Sequence, residues 1–377
     1  MEDKRLVLVG ATGSIGRQTL EVLDRWVSKS FAIRLVGMSA FQSDEFPKLV
    51  ARYRPEGVFF SRPIDLPKET IRFSSNEEMV RALNPDIAVI ASGGGATLAT
   101  TIASLESARR VCLANKESLV LGGSFVMSKA DQEGCELIPV DSEHSGLFQL
   151  LMGEDQSTID HVVLTASGGA LRDWKASDLE KARPKDVLAH PNWKMGPKIT
   201  VDSATMFNKG LEMIEAHHLF GLSPDQIQVM LCPSSYVHSM IQFCDGVVKM
   251  HAGTPDMHVP IAFSLSYPDR VGHEDCIGVG IPEQSIPLAP VDQMRFPALV
   301  LAKHVLQAPV CRAVQYNAFN EIAVGWFLEE RISFPQIYTI VEKAMQKEPV
   351  VALDSVEAIV DYHEQLKQKE LKHIWNT

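Results

Sequence analysis

Apolar and polar positions along the first part of the chain switch between the period of a strand and that of a helix. Residues 6–9 are an apolar run ending in glycine, as a buried parallel strand does. A helical pattern follows over residues 15–25, and apolar runs recur at 35–38, 57–60, 87–91, 111–114 and 137–140. Because strands and helices alternate, the pattern predicts a doubly wound α/β sheet in an N-terminal domain, residues 1–150.

The pattern becomes less regular near residue 159. Strands are predicted at residues 161–164, 227–232, 238–243 and 247–251, and Asp245-Gly246 between the last two is a hairpin signal. This mixture predicts a central α/β domain over residues 151–280. Three prolines within residues 281–292 predict a linker, and helical patterns at 297–306, 312–329, 334–345 and 355–372 predict a C-terminal helical bundle over 293–377.

The bulk composition is that of a globular protein with several domains. The chain has 377 residues, 45% of them hydrophobic, and a formal net charge of −11. Duplex nucleic-acid binders usually carry a basic excess, so this charge disfavours that class. The six cysteines are scattered, with no CxxC, and no secretory h-region or apolar run of transmembrane length is visible. We therefore expect a cytoplasmic protein with neither a membrane nor a nucleic-acid partner.

A glycine-rich loop follows the first predicted strand and opens a helix. Gly10, Gly13 and Gly16 are spaced G-x-x-G-x-x-G, which lets the backbone approach a pyrophosphate at the helix N-terminus. The position of the loop at the start of a strand–helix unit favours a Rossmann-like dinucleotide site. A tight turn that binds nothing is the alternative.

Two acidic residues end the strand predicted at 137–140. Asp141 and Glu143 are two residues apart, so an extended backbone would place both carboxylates on one side. Such a pair of hard oxygen ligands suits Mg²⁺ or Mn²⁺. The pattern leaves open a second interpretation, in which both acids are solvated ahead of a helix that begins near Ser145.

A second polar group lies on one predicted helix. Residues 203–212 are predicted to run into one helix, with Asn208, Lys209 and Glu212 spaced three and four apart. One face would then present Ser203 and these three side chains to a phosphate and a metal. An ordinary surface Lys–Glu pair has the same spacing. Lys116 follows the fifth strand at the edge where α/β folds bind ligands, and in isolation it fits a solvated helix start better.

Two loops have the composition of ligand-binding segments. Ser167-Gly168-Gly169 offers a hydroxyl and backbone N–H groups, as in a phosphate-binding nest. Residues 190–197 combine turn-forming residues with Trp193 and Met195, which is typical of a lid. A buried connector is the alternative for the second loop.

These motifs together resemble the family of 1-deoxy-D-xylulose 5-phosphate reductoisomerases, which form 2-C-methyl-D-erythritol 4-phosphate. The longest matching stretch, HPNWKMGPKITVDSATMFNKGLEMIEA, covers residues 190–216. Shorter matches are GATGSIG at 10–16, ANKES at 114–118, PVDSEHS at 139–145, ASGGAL at 166–171, GTPDM at 253–257 and NAFNEIAV at 317–324. The resemblance therefore extends along the whole chain.

The resemblance implies a role for each of these residues. It implies NADPH binding by residues 1–150, and catalysis, dimerisation and a flap in 151–280, with Lys116 acting in catalysis beside the metal ligands. The implied cofactor residues are Thr12, Gly13, Ser14, Ile15, Asn115, Glu117 and Gly196. The implied metal ligands are Asp141, Glu143 and Glu212, of which Glu143 and Glu212 also bind the substrate. The implied substrate residues are Lys116, Ser142, Ser167, His190, Ser203, Asn208 and Lys209, with His238 and Met257 lining the site and Trp193 and Met195 in the flap.

The sequence departs from the family where the 2′-phosphate of NADP should bind. The family usually carries a glycine and a basic residue after the second strand, whereas Ala40, Phe41 and Gln42 stand here without a cation. Arg62, after the third strand, is a candidate to supply that charge.

The resemblance also implies NADPH, a divalent cation (Mg²⁺, Mn²⁺ or Co²⁺), a small sugar-phosphate substrate and a homodimer. Two other function classes remain open at this stage. A plain nicotinamide-dependent dehydrogenase would need no metal, and a non-catalytic dinucleotide sensor would show no turnover.

Overall fold

The computed structural model describes residues 3–27, 32–193, 195–271 and 285–369. It divides into two units. The first comprises Met1–Ser118, Ser124–Ser145 and Asp256–Ile281; the second comprises Leu119–Gly123, Gly146–Pro255 and Pro282–Thr377. The segment from Asp256, predicted to be in the central domain, therefore belongs with the N-terminal unit, while the predicted division at residues 150, 281 and 293 stays a prediction.

The strands of the described residues form two sheets. In chain order they are β1 Lys4–Val9, β2 Ile33–Ala40, β3 Gly57–Phe60, β4 Ile71–Phe73, β5 Ile87–Ile90, β6 Arg110–Leu113, β7 Glu136–Pro139, β8 Ile159–Ala166, β9 Ile227–Leu231, β10 Val237–Phe243, β11 Val248–Ala252 and β12 Ala289–Pro290. The first seven strands make one sheet and the last five make the other.

The α-helices of the described residues follow most of the strands. In chain order they are α1 Ser14–Val22, α2 Phe46–Tyr53, α3 Asn76–Leu83, α4 Thr97–Ser107, α5 Lys116–Glu133, α6 Ser142–Leu151, α7 Pro184–Val187, α8 Pro197–Thr205, α9 Phe207–Phe220, α10 His258–Ser266, α11 Ala298–Leu306, α12 Cys311–Leu328, α13 Gln336–Lys347 and α14 Val356–Gln368. A short π-helical turn, Leu23–Val27, extends α1.

The sheet of the first unit is parallel throughout its described pairs, in the order β4-β3-β2-β1-β5-β6-β7. Its strand order reverses between β1 and β5, which is where doubly wound sheets bind ligands. The predicted doubly wound sheet is confirmed. Its strands read as apolar runs because they are covered on both faces; Leu8 and Met38 share one core with Ile261 and Leu265 of α10.

The sheet of the second unit is mixed, in the order β11-β10-β8-β9-β12. The predicted hairpin is confirmed, since β10 and β11 pair antiparallel around Gly246, whose φ of +88° suits glycine. Ala289 and Pro290 of the predicted linker pair with β9 as an edge strand. A two-residue strand has no detectable period, and proline is tolerated at a sheet edge, so sequence alone missed it. Residues 281–284 of that linker lie outside the described residues.

The C-terminal helices confirm the predicted helical pattern. Helix α12 packs against α11, α13 and α14 and also contacts α8. It buries Tyr316, Phe319 and Phe327. The predicted last helix ends at Gln368, and residues 370–372 of that prediction are outside the described part of the chain.

Candidate active site

The glycine loop lies at the carboxyl end of β1, beside the end of β5. Gly10 has a φ of +91°, and a Cβ there would stand 2.6 Å from the Ser92 nitrogen, so only glycine fits. A Cβ on Gly16 would collide with the Gly10 carbonyl oxygen. Gly13 caps α1, and Gly13 and Ser14 are exposed, with Thr12 and Ile15 half-buried beside them. The N-terminus of α1 is therefore open to an anionic group.

Asn115 links the ends of two neighbouring strands. Its amide nitrogen donates to the Ser92 carbonyl at 3.0 Å and to Glu117 Oε2 at 2.9 Å, while its oxygen accepts from the Ser118 backbone at 2.8 Å as the N-cap of α5. Asn115 is 3% exposed. Since Ser92 also abuts Gly10, Asn115 fixes the wall of the loop where the sequence predicted cofactor contacts.

The segment after β2 carries the predicted 2′-phosphate residues. Ala40 is buried, whereas Phe41 is 68% exposed and Gln42 is exposed. The Ser61 hydroxyl donates to the Phe41 carbonyl, which holds the turn after β3 against this segment. This contact brings Arg62, the next residue, near the segment after β2. Its Nη2 pairs with Asp44 Oδ1 at 2.7 Å. The predicted cation is present at this loop, already bound to a neighbouring acid.

Lys116 is buried at the first turn of α5. Its side chain is 9% exposed, and its Nζ lies 2.5 Å from Asp141 Oδ2. The interpretation of Lys116 as a solvated helix start is wrong, because the carboxyl end of β7 places a carboxylate against it. The ammonium of Lys116, after β6, thus pairs with the carboxylate of Asp141, after the neighbouring strand β7.

Asp141 is held as a carboxylate. Burial alone would raise the pKa of Asp141, but the Lys116 ammonium and a hydrogen bond with His144, 2.9 Å from Oδ2, together lower it well below its ordinary value. The Ser142 hydroxyl donates to Glu143 Oε2 at 2.5 Å. Charged oxygen ligands of this kind match a hard divalent cation.

The expected extended backbone across these acids is wrong. Helix α6 begins at Ser142, and the Ser145 N–H donates to the Asp141 carbonyl at 2.7 Å. Asp141 precedes the helix and Glu143 lies in its first turn, where negative charge is favoured. The predicted helix start was therefore only three residues late, and the period-two argument for the pair did not apply.

In the second unit, the predicted polar face of one helix is confirmed. Asn208, Lys209 and Glu212 all lie on α9, and the Asn208 amide donates to Glu212 Oε1 at 2.5 Å. Lys209 Nζ pairs with Glu212 Oε2. Lys209 and Glu212 are 3% and 1% exposed, so the surface-pair interpretation is wrong. A buried ion pair is costly to maintain and marks these residues as candidates for function.

Ser203 lies on α8 instead of α9. The two helices are separated by Met206, which has a left-handed φ of +65°. The sequence predicted a single run into a helix, and no glycine marked the break. Ser203 and Asn208 consequently stand on two helices joined at Met206.

Ser167, His190 and Ser203 form one hydrogen-bonded group. His190 Nε2 lies 3.0 Å from the Ser167 hydroxyl and 3.2 Å from the Ser203 hydroxyl. His190 Nδ1 accepts from the backbone N–H groups of Asn192 and Trp193, so the proton resides on Nε2. Burial, aided by Arg172, lowers the pKa of His190, which keeps the ring neutral at physiological pH.

The residues around this group form a glycine turn. Gly168 and Gly169 both adopt positive φ, and the Gly169 N–H donates to the Ser167 hydroxyl at 3.1 Å. Arg172 Nη1 donates to the Ser167 carbonyl at 2.9 Å. Sequence reasoning missed Arg172, since a lone arginine five residues after a serine carries no distinctive spacing.

Near its N-terminal end, the predicted flap is held by side-chain hydrogen bonds of Asn192. The Asn192 amide donates to the Pro233 carbonyl and to the Ser235 hydroxyl, both at 2.8 Å. Trp193 and Met195 are half-buried and Gly196 is exposed, while residue 194 is outside the described residues.

The two residues expected to line the site fall in different units. His238 lies on β10, 6% exposed, with its ring 5.7 Å from that of His251. Met257 precedes α10 and packs against the core of the first unit.

Comparison with known proteins identifies the family. The family model for 1-deoxy-D-xylulose 5-phosphate reductoisomerase matches residues 6–123, and two models for C-terminal domains of the same enzyme match 137–220 and 252–369. The chain belongs to the 1-deoxy-D-xylulose 5-phosphate reductoisomerase family. The resemblance seen in the sequence is confirmed.

Relatives and solved structures of this reductoisomerase family match along essentially the whole chain. The enzyme of Thermotoga maritima is 43% identical, over 100% of this chain and 98% of its own. That of Chloroherpeton thalassium is 39% identical, over 97% of both. A DOX-P reductoisomerase in complex with NADPH, fosmidomycin and magnesium is 31% identical with a TM-score of 0.87, covering 97% of each chain. The enzyme of Zymomonas mobilis in complex with NADPH is 28% identical with a TM-score of 0.88, covering 100% of each chain.

The donor chemistry of this reductoisomerase family member fits a divalent cation. In the first unit Asp141 and Glu143 offer carboxylate oxygens, with Lys116 beside Asp141. In the second unit Glu212 offers carboxylate oxygens, with Lys209 beside it. No helix among the described residues is long and apolar enough to cross a membrane.

Proposed function

We propose that the chain converts 1-deoxy-D-xylulose 5-phosphate to 2-C-methyl-D-erythritol 4-phosphate, using NADPH and a divalent cation. The observation that carries the proposal is the buried group of Asn208, Lys209 and Glu212 on α9. Burying a lysine and a carboxylate costs free energy of desolvation. Neither a plain dehydrogenase nor a dinucleotide sensor requires such a buried pair for its function. A phosphorylated substrate that chelates a metal requires both, the lysine for its phosphate and the carboxylate for the metal.

NADPH binding is proposed at the carboxyl edge of the first sheet. The pyrophosphate would rest on the N-terminus of α1 at Thr12, Gly13, Ser14 and Ile15. The 2′-phosphate would lie beyond β2 at Ala40, Phe41 and Gln42. Asn115, Glu117 and Gly196 complete the proposed cofactor set.

We assign Asp141, Glu143 and Glu212 as ligands of Mg²⁺, Mn²⁺ or Co²⁺. When bound, such a cation acts as a Lewis acid and template for vicinal oxygen atoms of the substrate. Lys116 would stabilise negative charge developing on the same oxygen atoms, and Ser142 would donate a hydrogen bond beside it. The low pKa of Asp141 keeps this ligand ionised across the physiological range.

Substrate phosphate binding is proposed at Ser167, Ser203, Asn208 and Lys209. His190 donates its Nε2 proton toward the two serine hydroxyls, which orients them. Because the phosphate is remote from the reacting carbons, its binding energy can drive closure of the 190–197 flap. Closure by Trp193 and Met195 would exclude water from the reactive intermediate.

The finer assignments of assembly and location follow the family resemblance. We propose that the enzyme is a homodimer and works in the cytoplasm. Its partners would then be a small sugar phosphate and a second copy of the chain.

Oxidation of NADPH with 1-deoxy-D-xylulose 5-phosphate tests the proposal directly. Absorbance at the NADPH band should fall only when enzyme, sugar phosphate and Mg²⁺ are all present. Excess EDTA should stop the reaction, and added Mg²⁺ should restore it. D-xylulose 5-phosphate, which differs by one hydroxyl group, serves as the control substrate. No NADPH oxidation with the deoxy sugar, or a full rate in EDTA, would overturn the proposal.

A further inference from the structure

One face of α12 supports both helices that carry the proposed phosphate-binding residues. Asn320 and Tyr316 are four residues apart, so they lie on the same face of this helix. Asn320 contacts α8 and Tyr316 contacts α9. Both are 0% exposed, which leaves little room for either contact to rearrange.

The contact with α8 is a hydrogen bond between buried groups. Asn320 Nδ2 donates to Asp202 Oδ1 at 2.8 Å across 118 residues of sequence. Asp202 is 1% exposed, and Lys198 Nζ lies 2.8 Å from its other oxygen. A buried carboxylate that loses a donor pays a large desolvation penalty, so this geometry is strongly specified. Asp202 directly precedes Ser203.

The contact with α9 is possible because Gly210 has no side chain. A Cβ on Gly210 would collide with the Tyr316 hydroxyl, and the Phe207 ring lies 5.1 Å from that of Tyr316. The Tyr316 hydroxyl donates to the Ala298 carbonyl at 3.3 Å. The α9 backbone therefore seats closely on α12 beside Lys209.

The link between α8 and α9 adopts a conformation that needs support from the surrounding packing. It is the single residue Met206, in a left-handed conformation that costs a non-glycine residue free energy. Contacts made outside the link therefore help to hold Ser203 in place relative to Asn208 and Lys209.

We propose that Asn320 and Asp202 are positioning residues, which fix the angle between α8 and α9 so that Ser203 meets the same phosphate as Asn208 and Lys209. The inference rests on the proposed phosphate site. Neither residue touches the substrate in this scheme.

Asn320→Ala tests the inference through a split between two Michaelis constants. KM for 1-deoxy-D-xylulose 5-phosphate should rise about tenfold, while KM for NADPH stays unchanged. The double variant Asp202→Asn with Asn320→Asp exchanges amide and carboxylate and should recover most of the loss. Asn320→Ser provides a milder change if the alanine variant folds poorly, with folding checked by circular dichroism.

Asn317→Ala is the matched control. Asn317 is an equally buried amide on the same helix, but it bonds to Glu321 at 2.9 Å and His363 at 3.1 Å and not to Asp202. We expect Asn317→Ala to lose about as much stability as Asn320→Ala, without a change in KM for 1-deoxy-D-xylulose 5-phosphate.

Equal increases in substrate KM for Asn317→Ala and Asn320→Ala would overturn the inference, as would an unchanged KM in Asn320→Ala and Asn320→Ser. Lys209→Ala separates the two proposals. If it leaves substrate KM unchanged, the phosphate assignment itself fails.

Discussion

Individual residues in this protein acquire their chemistry from burial. Lys116 and Lys209 look like ordinary surface lysines in the sequence, yet each is buried against a carboxylate. In water such pairs contribute little, whereas out of water they must be accurately placed to be tolerated.

Glu212→Gln should abolish turnover while leaving NADPH affinity nearly unchanged. The change removes a proposed metal ligand and the negative partner of Lys209. Steady-state rates and a fluorescence titration with NADPH measure the two effects. Glu364→Gln changes a glutamate three residues from a lysine on α14, partly exposed to solvent, and should leave the rate intact. Wild-type turnover in Glu212→Gln would contradict the metal assignment.

Cofactor preference depends on a second residue pair. Arg62 is bound to Asp44 in a solvent-exposed ion pair, so recruitment by a 2′-phosphate must compete with that acid. We expect NADPH to be preferred over NADH by a smaller margin than a lysine-bearing site gives. Arg62→Ala should lower the ratio of kcat/KM values about three- to tenfold, less than a fully desolvated charge-assisted contact would give, because Arg62 is exposed to solvent. Asp44→Asn should raise the ratio.

Both variants are compared with wild type in the same assay. An NADH preference in the wild-type enzyme would refute the main expectation. An unchanged ratio in Arg62→Ala would remove only the role of Arg62.

At the scale of elements, helix starts and helix ends carry most of the proposed site. Helices α1, α5 and α6 each begin at the carboxyl end of a parallel strand, and the glycine loop, Lys116 and Asp141 occur at these three starts. The parallel topology brings them to one edge of the sheet.

The 190–197 segment should close when a phosphonate analogue of the substrate binds with Mg²⁺. Trp193 is half-buried in a loop held by Asn192, so closure should change its surroundings. With the other four of the five tryptophans replaced by phenylalanine, Trp193 fluorescence reports this. A variant retaining only Trp326 on α12 should show no change. An unaltered Trp193 spectrum at saturating ligand would argue against a flap.

Two helices of the first unit are joined by a histidine that titrates. His258 on α10 lies 2.8 Å from Glu21 of α1 and 2.6 Å from Asp256. Burial would lower the pKa of His258, but these two carboxylates raise it above the ordinary 6.5. Protonated His258 is therefore more favourable in the folded state, so its contribution is complete below pH 6.5 and is lost as pH rises through the raised pKa.

The melting temperature should accordingly fall more between pH 6 and pH 8 in wild type than in His258→Gln. Thermal denaturation followed by circular dichroism measures it. His304→Gln, at an exposed histidine on α11, should keep the wild-type profile. If the melting temperatures of wild type and His258→Gln change in parallel with pH, the contacts of His258 do not cause the pH dependence.

At the scale of the whole molecule, ligand binding should stabilise the native chain. A cation that binds the folded protein but not the unfolded one adds about 2.7 kcal/mol at a hundredfold excess over its Kd. Mg²⁺ should therefore raise the melting temperature of wild type and leave that of Glu212→Gln unmoved. K⁺ at matched ionic strength controls for general salt effects. An equal rise in both proteins would mean that Mg²⁺ binds elsewhere.

The linear sequence was sufficient for most strands and helices in their order, for the glycine-rich loop and for the family, whereas the short strands β4 and β12 were not predicted. Apolar period, glycine spacing and motif order are properties of consecutive residues, so they can be read without knowing what packs where. Predicted elements such as 57–60 and 238–243 therefore match β3 and β10 closely.

Folding alone decided which side chains are buried together and where the backbone bends. The helix start at Ser142, the break at Met206 and the edge strand at Ala289 each depend on contacts with elements far along the chain. The same holds for the hydrogen bond from Asn320 to Asp202. Burial and desolvation, which give these groups their energies, are set by residues distant in sequence, and no local pattern records them.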